Sequence, residues 1–312
     1  MMRRTFLGMG ATALATGCGR TRPPRTKSAV VILKAASYSA DLLDPILLGI
    51  AQCGLDVKGK RVLLKPNFVE FSASTCINTS PAVVAAAVEA FEKLGAAQVL
   101  IGEGPGHRRD TYALAEEAGY WSAVPRFEDR FTDLNRDDVS PVEHFGGLPR
   151  IYLPNTALGA DLVVSVAKMK THHWAGVTLS MKNLFGLVPG SIYGWPKNTL
   201  HLNNIDRSVF ELNRIFRKTF AIVDGIVGME GDGPILGRPK AAGVLVLGAD
   251  LAAVDATCCR VMGIAPSLIG YLRLAAQLGN TEAADIEQRG EKIESVRSDF
   301  ALIRKFSHLR PL

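Results

Sequence analysis

The sequence predicts an α/β protein: a mainly parallel sheet with helices on both faces and an irregular insertion near residues 121–147. Short apolar runs rich in β-branched residues, such as VVIL at 30–33 and DLVVSVA at 161–167, recur along the chain, and stretches of helical periodicity separate them. Strands that are apolar at every position are buried on both faces, as happens when crossover helices cover a parallel sheet. Ionisable residues also follow these runs repeatedly, as they do where the strands of such a sheet end at a shared ligand site.

In chain order, VVIL is the first strand and a helix follows near 42–52. RVLL at 61–64 is the second strand. After a long loop comes SPAVVAAAVEAFEKLG, where Ser80 suits a helix N-cap, Pro81 the first helical position and Gly95 the stop. QVLIG at 98–102 is a strand and RRDTYALAEEAG at 108–119 a helix. RIYL at 150–153, DLVVSVA, FAIVD at 220–224 and GVLVLG at 243–248 continue the strand series, with helices around 208–218 and 252–262. The tail after Gly279 is charged and weakly patterned. The expected organisation is a signal segment over 1–17, a polar tether over 18–28, one α/β domain over 29–280 and an extension over 281–312.

The chain carries a formal charge of +6, with 36 basic and 30 acidic residues. Arg3, Arg4, Arg20, Arg22, Arg25 and Lys27 fall in the first 28 residues, which hold no acid, so the rest of the chain is neutral. No basic cluster of the kind that neutralises a phosphate backbone appears, and nucleic acid is not an expected partner. The opening MMRRTFLGMGATALATGC is too short and too weakly apolar to span a bilayer. Its arginine pair fits a twin-arginine export signal, which implies the twin-arginine machinery as a partner. LATGC resembles a lipobox ending at Cys18, the residue that would be acylated, although Ala15 stands where leucine is preferred. An exported location is expected, periplasmic or held to the membrane surface by that lipid.

Cysteine usage excludes further chemistry. No C-x-x-C spacing occurs, so no iron–sulfur cluster and no thiolate zinc site is expected. Cys258 and Cys259 sit in a helical pattern as small core residues, and a Cys53–Cys76 disulfide is a pairing the sequence leaves open. Neither a phosphate-binding P-loop nor a dinucleotide fingerprint is present, so no nucleotide cofactor is expected.

The candidate site is read from the residues just beyond each strand. Lys65 and Asn67 come after RVLL; Glu103 and then His107 come after QVLIG; Lys168, Lys170 and His172 come after DLVVSVA; Asp224 ends FAIVD. These predict one cleft, with Lys168, Lys170, His172 and Asp224 as catalytic candidates and Lys65 and Asn67 as substrate-binding ones. SMKNLFG places Lys182 and Asn183 on a helix or turn, and they join the substrate-binding set only through a family resemblance. Adjacent His172 and His173 would point to opposite sides of an extended segment, with His172 preferred for the cleft. His201 and Asp206 are expected to do no more than cap the following helix. DGIVGMEGDGPILGRPK at 224–240, with five glycines and two prolines, reads as a tight loop. Its Glu230 and Asp232 could present two carboxylates to a hard divalent cation such as Mg²⁺ or Ca²⁺.

LLKPNFV, SPAVVAAAVEAFEKLGAAQVLIGEGPG, KMKTHHWAGVTLSMKNLFGLVPG, VDGIVGMEGDGPILGRPK and GADLAAVDATCCRVMG together resemble the domain of unknown function 362 family, in its motif order, over roughly residues 30–265. The resemblance implies an α/β fold and a shared site carried by Lys65, Asn67, Glu103, Lys168, Lys170, His172, Lys182, Asn183, Asp224, Glu230 and Asp232. Many relatives carry a ferredoxin-like module with two four-iron clusters, whose cysteines this chain lacks. The leading expectation is an exported enzyme for a small phosphate- or carboxylate-bearing substrate, with a divalent metal. The alternatives are a ligand-binding lipoprotein without chemistry and a redox-associated accessory protein.

Overall fold

The computed structural model describes residues 26–106, 109–195 and 197–311. Arg3, Arg4, Cys18 and His107 lie outside the described residues. The strands are β1 (Ser28–Lys34), β2 (Arg61–Pro66), β3 (Gln98–Glu103), β4 (Phe131–Asp133), β5 (Val139–Phe145), β6 (Leu148–Pro154), β7 (Leu162–His172), β8 (Gly176–Thr178), β9 (Thr219–Glu230), β10 (Arg238–Gly248) and β11 (Ile286–Gly290). Nine of them form one sheet in the order β11-β1-β10-β9-β7-β2-β3-β4, with β8 paired to β7. Its centre is parallel, since β2 pairs in parallel with β3 and β7, and β7 with β9.

Successive residues of each strand feed two separate cores, as the period of two requires. Val163, Val244 and Val246 pack on one face with the helix Leu251–Val261. Val164, Val166, Leu245 and Leu247 pack on the other with the helices Leu43–Gln52 and Pro81–Lys93. The start of Pro81–Lys93 follows its sequence signals. The Ser80 side chain accepts from Ala82 N, Pro81 opens the helix, and Gly95 just beyond its end has φ +83°.

Four features depart from the sequence-based expectation. First, β10 runs antiparallel to both β1 and β9. The link from Glu230 to Arg238 is too short for a crossover, so the chain can only return as a hairpin. Second, the expected loop over 224–240 is mostly strand, because β9 runs on to Glu230 and β10 begins at Arg238. Third, the expected irregular insertion contains β4, which extends the main sheet, and β5, which pairs with β6 in a separate two-stranded ribbon. RIYL belongs to that ribbon. Fourth, β11 from the C-terminal segment pairs in parallel with β1. Cys53 and Cys76 are free thiols that donate to Leu247 O and Gly228 O, and they do not form a disulfide.

Candidate functional site

β7 decides the geometry. Its apolar run does not stop at Ala167 but continues through Lys168, Lys170 and His172, and all eleven residues are buried. The lysines therefore belong to the strand itself, and each buried ammonium must find partners within the protein.

Lys168 finds them in a closed network. It faces Asp224 across the β7/β9 register. Its Nζ donates to Asp224 Oδ2 at 2.7 Å, Tyr38 Oη at 2.9 Å and Val227 O at 3.0 Å, which uses all three of its hydrogens. Asp224 also accepts Tyr38 Oη at 2.9 Å, Ser80 N at 2.9 Å and Ile226 N at 3.2 Å. The network joins β7, β9, the segment after β1 and Ser80, the N-cap of the helix Pro81–Lys93. Both side chains are spent on this tie.

A cavity of about 280 Å³ lies at the carboxyl ends of β2, β3 and β7. Asn67, Glu103, Lys170, His172, Lys182 and Asn183 all line it, whereas Lys168 and Asp224 do not. Lys65 stands beside them, fully buried and paired with Glu103 while donating to Pro66 O at 2.6 Å. Lys182 and Asn183 arrive on the short helix Ser180–Asn183. Buried Asp255 fixes the start of that helix, accepting Ser180 N at 2.8 Å, Met181 N at 3.1 Å and Tyr271 Oη at 3.0 Å. Asp255 is thus a positioning residue for Lys182.

Lys197, His201, Trp174, Phe185 and Thr178 also line the cavity, and the sequence alone does not single them out for it. Lys197 and His201 lie in a run of short helices with no periodicity to flag them. His201 does not cap the following helix; the Asn204 side chain does, accepting from Arg207 N. Both His172 and His173 line the cavity, because β7 ends at His172 and the chain turns immediately.

His172 and His201 hold opposite tautomers. Nδ1 of His172 accepts Trp174 N at 3.0 Å and Ala175 N at 3.2 Å, so a neutral ring carries its proton on Nε2. Burial, with help from Lys182 and His173, holds its pKa well below the usual value. Nδ1 of His201 lies 3.0 Å from the Lys197 carbonyl, which can only accept, so its Nε2 carries the lone pair. Burial, then Lys182, lowers His201 to about 4.

Burial lowers the pKa of each cavity lysine. Burial first, then Lys182 and Lys168, pushes Lys170 well below its ordinary value. Lys182 falls to about 8, chiefly by burial and secondly through Lys65. Lys197 falls to about 7 by burial, partly offset by Glu103. Lys170 Nζ donates to Ile77 O at 2.9 Å and Pro234 O at 3.4 Å, and Lys197 Nζ to Gly104 O at 2.6 Å and Phe185 O at 2.8 Å. Lys182 differs. Its Nζ has no hydrogen-bond partner among the described residues and lies 4.8 Å from the centre of the Phe185 ring.

Several acceptors are also left over. Asn67 Oδ1, Glu103 Oε2 and Thr178 Oγ1 are buried and without a partner among the described residues. The orientation of the Asn67 amide is set by its neighbour. Asn183 Nδ2 donates to Lys65 O and Ser165 Oγ, so Asn183 Oδ1 must accept from Asn67 Nδ2, at 3.0 Å.

The expected metal pair does not assemble. Glu230 Oε1 accepts Arg238 Nε at 2.8 Å and Oε2 accepts Ala301 N at 2.7 Å, while Asp232 stands 3.7 Å from His173 Nδ1. Among the described residues no group of three or more His, Cys, Asp or Glu is placed to hold a metal ion. These side chains do not fit a divalent cation.

The family model described as Domain of unknown function (DUF362) matches residues 62–260. The chain belongs to the DUF362 family. A thylakoid-associated protein of Synechocystis sp. is 29% identical over 275 residues, covering 82% of each chain. Among solved structures, lactate racemase apoprotein from Thermoanaerobacterium thermosaccharolyticum aligns with a TM-score of 0.47 at 13% identity, covering 76% of this chain. A Thermotoga maritima protein aligns with a TM-score of 0.38 at 13% identity, covering 79% of this chain. This DUF362 chain spans 58% and 59% of those two solved chains. The DUF362 match takes in β2, β3, β7, β9 and β10, and so the strands under the cavity.

Proposed function

We propose that this DUF362 protein is an enzyme that binds a small phosphate- or carboxylate-bearing substrate in the cavity at the ends of β2, β3 and β7. The observation that carries this reading is charge imbalance. Lys170, Lys182 and Lys197 line the cavity, while its one carboxylate among the described residues, Glu103, is already paired with Lys65. Lysines that lower one another's pKa are strained until an anion arrives, which is how a binding site differs from a self-neutralised network. His201 Nε2 would accept a proton and His172 Nε2–H would donate one, an acid and a base of fixed identity at neutral pH. No step runs through a metal.

The anion reading is tested by thermal unfolding with and without phosphate, in the parent and in Lys182→Met. Phosphate should stabilise the parent by mass action. The variant should keep its fold and lose about 1.5–3 kcal/mol of anion interaction, about tenfold or more in Kd. Undiminished phosphate stabilisation of the variant would refute the assignment. Measuring both quantities against pH separates them further. Native Lys197 and Lys182 titrate at about 7 and about 8, against 10.5 for an unperturbed lysine. Between those values the unfolded chain binds more protons, so stability of the ligand-free protein rises with pH across that window and the burial penalty is fully present below it. Anion affinity should fall as pH rises through about 8, because Lys182 then loses its charge. Parallel pH trends for the two would contradict the reading.

We further propose export through the N-terminal arginine pair and attachment to the membrane by Cys18, in keeping with a relative named as thylakoid-associated. Replacing Arg3 and Arg4 by lysine should retain the protein in the cytoplasm. Unchanged export of that double variant, followed by fractionation, would reject this route.

A further inference from the structure

Lys182 stands apart from every other lysine of the site. Lys65 is held by Glu103, Lys168 by Asp224, and Lys170 and Lys197 by pairs of carbonyl oxygens. The Lys182 side chain is enclosed by protein, yet its amine meets only the face of Phe185. A cation over an aromatic face gains part of what water would supply but receives no hydrogen bond there. Binding an anion is one use for such an amine. Its isolation permits a second, because an ammonium without acceptors gives up its proton more readily, and the neutral amine that results has a free lone pair.

We propose that Lys182 is a nucleophile that condenses with the carbonyl group of a small anionic carbonyl compound, of the 2-oxo-acid class, to form an imine. The proposal rests on the anion reading of the cavity and narrows its substrate class. The lone pair of Nζ forms a bond to the carbonyl carbon as the C=O π bond breaks toward oxygen. The oxygen takes a proton from nitrogen to give a carbinolamine. Loss of a second nitrogen proton with that hydroxyl yields the C=N bond and one water, so nothing is oxidised or reduced.

Three features of the cavity suit this chemistry. Desolvation and the neighbouring Lys65 lower Lys182 to about 8, which raises the share of neutral amine near neutral pH, the usual means of activating a nucleophilic lysine. Lys170 and Lys197 remain to hold the anionic group while Lys182 is committed to the carbonyl carbon. The leftover acceptors Asn67 Oδ1 and Glu103 Oε2 could each take the hydrogen of a carbinolamine hydroxyl, and a 2-oxo acid without this step offers them no donor.

The test uses the full chain with glyoxylate as the carbonyl probe and sodium cyanoborohydride to convert any imine to a stable secondary amine, followed by peptide mapping by mass spectrometry. The expected result is one dominant adduct on Lys182, suppressed by competing phosphate and absent from Lys182→Arg. Mapping in the parent protein locates the adduct even if the variant folds poorly. Adducts spread over surface lysines, or a dominant adduct on Lys197, would overturn the proposal. If phosphate still stabilises the parent in that case, the anion-binding cavity stands and only the covalent role of Lys182 falls.

Discussion

Asp224→Asn is expected to destabilise the fold by about 3–5 kcal/mol, the usual cost of removing one partner from a buried ion pair. The substitution preserves shape, so the loss reports charge and hydrogen bonding. Lys168 would keep its contacts to Tyr38 and Val227 but lose its counter-charge while buried. In one amide orientation the new NH2 would also face Ser80 N and the Lys168 ammonium, which share Oδ2. In the other it would face Ile226 N and the Tyr38 hydroxyl, which share Oδ1, donor against donor either way. Since Ser80 is the N-cap of the helix Pro81–Lys93, the damage should spread to that helix. Urea unfolding measures it. A loss under about 1 kcal/mol would show that Lys168 escapes to solvent, and would undercut the division between a structural Lys168 and a site Lys182.

Gly186→Ala is expected to be as damaging, through a different mechanism. Gly186 has no positive φ to protect, and space is what it supplies. A methyl group there would overlap Cε and Nζ of Lys65 and come within 2.7 Å of Glu103 Oε1. The Gly186 carbonyl also accepts from Gly104 N at 3.0 Å, which limits backbone retreat. The variant must displace a fully buried lysine from its carboxylate, so overpacking of about 1–3 kcal/mol adds to a broken ion pair. Against a typical total of about 5–15 kcal/mol, the folded yield should fall sharply. Near-parental stability would mean that the Lys65–Glu103 pair is looser than its burial indicates.

Much of the fold was legible because its signals are local. Apolar runs, the Ser80-Pro81 start and the Gly95 stop need no knowledge of distant partners. The direction of β10 was not, since uniform hydrophobicity reports burial on both faces and says nothing of orientation. For the site, Asn67, Glu103, Lys170 and His172 could be gathered because strand ends in a parallel sheet converge, whereas Lys182 and Asn183, on the helix Ser180–Asn183, came only with the family motif. The split between Lys168 and Lys170 could not be read. Both follow the same run, and only the register with β9 shows that one faces a carboxylate. Lys197 and His201 stayed hidden because short helices leave no periodic trace. Glu230 was misleading for a similar reason: its partners Arg238 and Ala301 N are set by a hairpin and by a distant tail segment.

The unbroken run of β7 to His172 gives the two sides of the cavity different clocks. Its floor belongs to a strand held by β2 and then β8 on one side and by β9 on the other, whose amides in the centre of the sheet should exchange with solvent only when the whole sheet opens. The side lined by Lys197 and His201, its cover, is by contrast built on the five-residue helix Asn198–Leu202, which lacks the length to be stable alone. A ligand should therefore enter and leave by fast motion of the cover past a floor that is fixed on the same timescale. Changes in the cover could then alter which molecule is admitted while the residues beneath it keep their positions.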